Sequence, residues 1–291
     1  MNTDTYVKVK IRERENITGD LSMGKVQLNV SDLLKMKDYY HDIAGLDILN
    51  EDDNKVILGK NKEKLLTLFK TGLTKANKGE AGLYHFAIVF EKRSDLAKTI
   101  FNIITKAEKT FTGSADHLVS EAFYFTDPEG YSVELYFDKP RSEWKWENGQ
   151  IKMATLYMDP VAYVKTYSGK NEETNSVKIG HIHLKVGSIE QARRFYVEIL
   201  GFEITAEIMG ALFVSAGGYH HHLGLNIWES SGAQKRDETL GLKNFEIILK
   251  DEVDFDSLQV RLSEKKVRFS ENKTGIFLSD PWNNLITVRM Q

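Results

Sequence analysis

Hydrophobic and polar residues alternate in short segments along the chain, which predicts strands that bury one face of a sheet. Two such segments are residues 25–30 (KVQLNV) and 181–186 (HIHLKV). Each precedes an amphipathic segment that ends near a glycine, residues 38–46 (DYYHDIAGL) and 194–202 (RFYVEILGF). Because glycine is the usual left-handed cap at the end of a helix, each pair predicts a strand followed by a helix.

The same segments also form an internal repeat. The two strands are as far apart in the chain as the two helices, so one register relates both pairs. A second pair of strands begins with residues 82–86 (GLYHF) and 241–245 (GLKNF). Each of these later reaches an Asp-Pro turn and a last strand, at 127–135 and 280–288. The chain is therefore predicted to hold four units of one strand, one helix and several strands.

Four βαβββ units in two tandem pairs are the layout of the vicinal-oxygen-chelate fold, and the sequence resembles that superfamily throughout. The resemblance implies an α+β fold with four modules in two domains. A stretch with two tryptophans and a polar run interrupts the repeat, and we interpret it as a linker with some packing of its own. The predicted divisions are domain 1 at residues 1–140 (modules near 23–72 and 82–138), the linker at 141–177, and domain 2 at 178–291 (modules near 178–229 and 240–291).

Composition excludes several classes of protein. Hydrophobic residues make up 41% and charged residues 28% of the chain, as in ordinary globular proteins. The formal net charge of −3, with both signs interspersed, predicts neither a nucleic-acid partner nor an anionic membrane surface. No apolar run approaches the ~18 residues of a membrane span, and the N-terminus lacks the apolar core of a signal peptide, so we expect a cytoplasmic protein. Without cysteine, any metal must be held by His, Asp, Glu or water.

In this superfamily the metal lies in a cup between two modules, and its ligands come from the first strands and from one last strand. The repeat aligns four inward positions on first strands: Lys25, His85, His181 and Asn244. The inward position of the last strand is Glu134 in one module and Thr287 in another. The alignment thus selects His85, His181 and Glu134. Two histidines and one carboxylate are typical of Fe(II) oxygenases, and Mn(II) suits the same ligands. His183 shares the side-chain direction of His181, and we expect a structural role for it.

Residues 116–134 carry the most specific motif in the sequence. The segment resembles the extradiol ring-cleaving dioxygenase signature, with a histidine, a Phe-Tyr pair, an Asp-Pro-x-Gly turn and the liganding glutamate. Only Ala115, two positions before the histidine, departs from the usual residues. The resemblance implies that His117 holds the substrate hydroxylate and that Tyr124 forms a hydrogen bond with the bound catecholate.

A run of three histidines lies within residues 217–228 (GGYHHHLGLNIW), which are similar to bacterial enzymes of the catechol 2,3-dioxygenase type. The resemblance implies that His222 is the acid–base residue near bound dioxygen. A slip of one residue within the run stays open. If strand alternation extends through the run, His220 shares the face of His222 and His221 points away.

The expected function is therefore an Fe(II)-dependent extradiol dioxygenase that cleaves a small aromatic diol with O2, as in aromatic hydrocarbon catabolism. One alternative is a glyoxalase-type isomerase or transferase, although such enzymes usually need a fourth ligand where this chain has Lys25 or Asn244. Another is a non-catalytic binding protein of the bleomycin-resistance kind, which generally lacks the two histidines and the glutamate. The sequence leaves the ring substituents and a possible homo-oligomer open.

The three selected ligands come from modules two and three, which are not a sequential pair. One hypothesis is that modules two and three face each other, while modules one and four form a second cup lined by Lys25, Asn244 and Thr287. The rival is sequential pairing completed across a dimer. The distance between His85 and His181 distinguishes the two hypotheses.

Overall fold

The computed structural model describes residues 15–169 and 176–291. Most of these residues lie in two large sheets, and the helices pack beside the strands. Within the described residues, no helix is both long enough and apolar enough to cross a membrane. The α+β class predicted from the sequence is confirmed.

Each of the four modules follows the order of strand, helix and three strands. The first comprises β1 (Leu21–Val30), α1 (Leu33–Asp38), β2 (Asp47–Asp52), β3 (Lys55–Lys60) and β4 (Glu63–Lys70). The second comprises β5 (Gly82–Phe90), α2 (Arg93–Ala107), β6 (Phe111–Asp116), β7 (Ser120–Thr126) and β8 (Ser132–Asp138). Between modules two and three lie β9 (Trp146–Glu147), β10 (Gln150–Ile151), β11 (Leu156–Tyr157) and α3 (Pro160–Tyr167). The third comprises β12 (Val177–Lys185), α4 (Ile189–Ala192), β13 (Glu203–Ile208), β14 (Ala211–Ser215) and β15 (Leu223–Asn226). The fourth comprises β16 (Gly241–Leu249), α5 (Glu252–Glu264), β17 (Phe269–Asn272), β18 (Gly275–Ser279) and β19 (Leu285–Met290).

The helices of modules one and three match in an unusual detail. Both α1 and α4 continue into a wider π-helical turn, Tyr39–Ile43 in one and Arg193–Ile199 in the other. Both then reach a glycine with positive φ, Gly45 at 80° and Gly201 at 88°. The glycine stop predicted from the repeat is therefore present in both modules.

Strand pairing joins the modules across the chain rather than along it. β1 is antiparallel to β16, which builds an eight-stranded sheet from modules one and four. β5 is antiparallel to β12, which builds a nine-stranded sheet from modules two and three with β11 at one edge. This pairing confirms the hypothesis that modules two and three lie together within one chain, as modules one and four do. The division of the chain into domains 1–140 and 178–291 stays a prediction. Each of the two sheets contains strands from both of those ranges.

The main hydrophobic core lies between the two sheets. Val26 and Leu28 of β1 and Ile182 and Leu184 of β12 are fully buried members of one cluster that spans both sheets. Because strand residues alternate, burying these side chains turns their neighbours in β12 to the opposite face. That opposite face of the nine-stranded sheet carries the candidate site.

Candidate active site

His85, His181 and Glu134 converge at the centre of the nine-stranded sheet. Nε2 of His85 lies 3.2 Å from Nε2 of His181, and Oε2 of Glu134 lies 3.1 Å from each of these nitrogens. All three side chains are buried. The residues come from β5, β12 and β8, and the pairing of β5 with both neighbouring strands brings them together.

This triangle fits a divalent metal ion. Nitrogen and oxygen ligands about 2.1 Å from an ion and at right angles to one another lie about 3.0 Å apart, close to the observed sides. Two imidazoles and one carboxylate on one face leave the opposite positions of an ion open. Among the described residues these three form a group of His, Asp and Glu side chains whose ligand atoms all lie within 4.8 Å of one another. The chain therefore has a possible three-residue metal site.

The protonation states suit ligation. Burial alone would raise the pKa of the Glu134 carboxyl, but His181 and His85 beside it hold that pKa well below its usual value. Burial lowers the pKa of His181, which favours the neutral imidazole. A charged carboxylate beside a neutral histidine is the form in which these groups bind a metal.

A β-bulge in β12 sets which side chains reach the site. Ile179 pairs with Ile88 and His181 pairs with Ala87, so Gly180 has no partner of its own in the register. A Cβ atom on Gly180 would clash with the hydroxyl of the fully buried Tyr136. Glycine is therefore required where β12 crosses this tyrosine, next to a proposed ligand.

His117 and Tyr124 form a directly bonded pair beside the triangle. Nδ1 of His117 donates to the carbonyl oxygen of Ala154 at 2.7 Å, so Nε2 of the neutral ring accepts. The hydroxyl of Tyr124 donates to that Nε2 at 2.6 Å. Burial and the nearby Glu134 raise the pKa of Tyr124 well above its usual value, which keeps the hydroxyl protonated. Ala154, which orients His117, thus lies in the segment predicted as a linker. It acts through its backbone carbonyl, and the sequence gives no signal for such a contact.

Both residues line a cavity of about 1340 Å³ whose wall also includes His85, Glu134 and His181. Its walls include the apolar side chains of Ile151, Phe213 and Trp228. The lining combines these apolar side chains with many polar and charged ones, and a concave site of this kind suits a small molecule. None of the three apolar residues was singled out from the sequence, because each looks like an ordinary core or surface residue.

The three consecutive histidines do not follow the alternation expected from the sequence. His221 lines the cavity, and its ring centroid lies 4.3 Å from that of His181. His222 turns away from the cavity and shares a hydrogen bond of 2.8 Å with the hydroxyl of Ser215. His220 bonds to both His221 and Asp138. The expectation that His221 points away is wrong, because the run precedes β15 and so lies outside the regular strand. The catalytic assignment of His222 stays untested, but this geometry gives it no support.

His183 lines the cavity without joining the triangle. Its Nε2 lies 3.0 Å from the side-chain nitrogen of Asn226, which donates to it. Its ring contacts those of His85 and Trp228. The position agrees with the structural role expected from the sequence.

The corresponding face of the eight-stranded sheet has a different set of side chains. Lys25 forms an ion pair of 2.9 Å with Glu246. Asn244 and Thr287 form a hydrogen bond of 3.1 Å with each other. Of the positions equivalent to the triangle, Asn244 and Thr287 thus bond each other, and Lys25 pairs with a different residue, Glu246.

The family model of the Glyoxalase/Bleomycin resistance protein/Dioxygenase superfamily matches residues 22–135 and 178–288. The chain belongs to this superfamily. The resemblance stated from the sequence is therefore confirmed, and the two matched segments together include all or part of every strand of the four modules.

Relatives within this superfamily differ in the activities their names describe. The chain is 31% identical over 275 residues to a catechol-2,3-dioxygenase of Bacillus subtilis (strain 168), covering 91% of this chain and 96% of the relative. A candidate dioxygenase from Bacillus subtilis subsp. subtilis has a similar fold, with a TM-score of 0.62, 14% identity, and coverage of 94% and 86%. Glyoxalase I from Zea mays also has the fold, with a TM-score of 0.55, 16% identity, and coverage of 93% and 92%. The structural similarities show the fold alone.

Proposed function

We propose that this protein is an extradiol dioxygenase that cleaves the ring of a catechol with O2 and uses Fe(II) held by His85, His181 and Glu134. The observation that carries the proposal is the nearly equilateral triangle of ligand atoms, next to the bonded pair of His117 and Tyr124. The relative named catechol-2,3-dioxygenase supports it. Such an ion, when bound, lowers the pKa of a coordinated diol and brings it next to dioxygen.

The surrounding side chains then have separate roles. Nε2 of His117 and the hydroxyl of Tyr124 share one proton position, and together they can hold or move a proton at a substrate hydroxyl. His221 lines the cavity with its ring 4.3 Å from that of His181, and in this proposal it exchanges a proton with substrate. Phe213 and Trp228 offer apolar surface to a ring that lies in the cavity. We therefore assign to His221 the acid–base role that the resemblance suggested for His222. A catechol consumed in this way implies aromatic catabolism as the setting.

A glyoxalase-type reaction is the second candidate, because glyoxalase I shares the fold and Mn(II) suits the same three ligands. Among the described residues the group of His, Asp and Glu ligands has three members, and Lys25 and Asn244 lie in the eight-stranded sheet rather than beside it. We therefore favour ring cleavage.

Metal binding is tested by thermal unfolding under anaerobic conditions. Fe(II) at about one hundred times its Kd should stabilise the wild-type protein by about 2.7 kcal/mol, which corresponds to a rise in Tm of roughly 4–5 °C for a chain of this size. The variants His181→Ala and Glu134→Ala should lose this response. The matched control is His41→Ala, which removes a histidine from the exposed side of the first module. An unchanged response in the two ligand variants would overturn the site.

Activity is tested by adding catechol, substituted catechols and then air to the iron-loaded protein. A yellow ring-fission product is expected with at least one diol. Replacing His221 with asparagine should lower kcat by roughly 10²–10⁴-fold, the usual contribution of a general acid–base residue. His222→Asn should leave kcat within a few-fold of the wild type. Absence of colour with every diol, despite bound iron, would refute ring cleavage and favour the isomerase.

A further inference from the structure

Asp138 lies at the end of β8, four residues after the proposed ligand Glu134. Residues at even spacing in a strand share one face, so Glu134, Tyr136 and Asp138 all point toward the same side. The two oxygens of Asp138 have different partners. Oδ1 lies 2.9 Å from Nε2 of His220, and Oδ2 accepts a hydrogen bond of 2.8 Å from the hydroxyl of Tyr219.

His220 links this carboxylate to the cavity. Its side chain is fully buried, and its second nitrogen, Nδ1, lies 2.7 Å from Nδ1 of His221. His221 in turn lines the cavity beside His181. A continuous chain of hydrogen bonds therefore runs from Asp138, whose side chain is 25% exposed, through His220 to the wall of the cavity.

For a neutral His220, the hydrogen-bonding capacity of these groups fixes the proton positions. A carboxylate only accepts, so Nε2 of His220 must carry the proton that it donates to Asp138. In the neutral ring Nδ1 of His220 is then an acceptor. The short contact between the two Nδ1 atoms consequently requires a proton on Nδ1 of His221. Nε2 of His221 is left with its lone pair, since Nδ1 is the nitrogen that bonds His220.

We propose that Asp138 is a positioning residue that, through His220, holds His221 as the tautomer with a proton on Nδ1 and a free Nε2 for the cavity. This inference rests on the proposed function for its catalytic meaning, but the tautomer itself is a property of the chain. It also gives each histidine of the run a separate task. His221 faces the cavity, His220 connects it to Asp138, and His222 is anchored by Ser215 in the core.

The tautomer is tested by NMR of the ring nitrogens in the full chain labelled with ¹⁵N-histidine, without added metal. His221→Gln and His220→Gln assign the two rings. In the wild type we expect His221 with a protonated Nδ1 and an unprotonated Nε2. Asp138→Asn keeps the shape of the side chain but can turn an NH₂ group toward His220, which would reverse both rings. A serine protease triad shows the same effect when its buried aspartate becomes asparagine.

Kinetics provides the second readout. Asp138→Asn should lower kcat by about 100-fold or more, within the range of general acid–base catalysis, and should leave KM nearly unchanged. Asp138→Glu, which restores a carboxylate, should recover part of the loss. Tyr219→Phe is the matched control, because it removes the partner of the other oxygen of Asp138 and leaves the bond to His220. It should preserve the His221 tautomer.

The outcomes separate this inference from the proposed function. The inference is overturned by a wild-type spectrum in which His220 carries protons on both nitrogens or in which Nε2 of His221 is protonated. It is also overturned if Asp138→Asn folds with normal cooperativity and keeps the wild-type tautomer and kcat. A protein with the expected tautomer that cleaves no catechol would refute ring cleavage and leave the positioning role intact.

Discussion

The candidate metal site depends on three side chains that lie close together, those of His85, His181 and Glu134. A buried carboxylate or imidazole normally costs free energy unless it is paired, and here each of the three lies within 3.2 Å of the other two. Nδ1 of His181 is buried and meets no hydrogen-bond partner among the described residues. A histidine that binds a metal usually donates its other nitrogen to a second group, so this position departs from the common arrangement. The convergence of the three side chains is the residue-level basis of the site.

A second property of single residues is the response of His222 to acid. Burial lowers the pKa of His222 from about 6.5 to about 3. Between these values the unfolded chain takes up a proton that the folded chain does not. The contribution of His222 to the free energy of unfolding is therefore complete above about pH 6.5 and is lost as the pH falls toward 3. The slope is at most about 1.4 kcal/mol per pH unit.

His222→Asn should remove this dependence. We expect the wild type to be more stable than the variant at pH 7 and the difference in their free energies of unfolding to shrink as the pH falls to 4. Urea denaturation at a series of pH values measures both proteins. If the free energies of unfolding of the two proteins change with pH in parallel over this range, the structural role of His222 is contradicted.

At the scale of elements, the bulge in β12 determines how the strand crosses its neighbours. Gly180 leaves no room for a side chain because Tyr136 is fully buried and cannot retreat into solvent. Gly180→Ala should therefore destabilise the protein by about 1–3 kcal/mol, as overpacking usually does. It should also weaken metal binding, because His181 is the next residue. Chemical denaturation and metal titration measure the two effects.

Gly113 of β6 supplies the control for this substitution. No atom lies within 4 Å of the place where its Cβ would stand. Gly113→Ala should change the free energy of unfolding by no more than about 0.5 kcal/mol. Equal destabilisation by the two alanines would show that close packing against Tyr136 is not the cause.

The turn between β6 and β7 fixes the position of His117. Leu118 has a φ of 71°, in the left-handed region that is unfavourable for leucine. Asp116 holds the turn, since its Oδ1 accepts from the backbone nitrogen of Leu118 at 2.8 Å and both of its oxygens lie 2.7 Å from Nζ of Lys139. Asp116→Ala should cost about 1–3 kcal/mol, typical of hydrogen bonds that involve a charged group.

Adding Leu118→Gly should recover part of that loss, because glycine adopts a positive φ without strain. A double-mutant cycle measures the coupling between the two positions. If Leu118→Gly destabilises the Asp116→Ala variant further, strain at Leu118 is not what Asp116 offsets.

For the whole molecule, the important feature is that each sheet is assembled from both ends of the chain. Fragments 1–140 and 141–291 would each leave a long central strand as an unpaired edge, because β1 needs β16 and β5 needs β12. We expect neither fragment to show a cooperative unfolding transition alone. An equimolar mixture should regain the transition and the stabilisation by Fe(II), measured by circular dichroism.

A cooperative transition in either fragment alone would contradict this expectation. It would also support the independent domains that the sequence suggested at 1–140 and 178–291. The folding of the separate fragments is thus the direct test of the domain division.

The sequence alone determined the repeated elements and the three residues that meet in the triangle. Local periodicity sets which side of a strand a residue occupies, and the repeat transfers that side from one module to another, so His85, His181 and Glu134 could be selected together. Only the tertiary structure decided which modules pair, because the pairing of β5 with β12 depends on contacts between distant segments. It also decided the order within His220–His222, since that run lies before β15 and strand alternation does not govern it. The bond from Asp138 to His220 joins residues 82 positions apart, and no local pattern encodes such a contact.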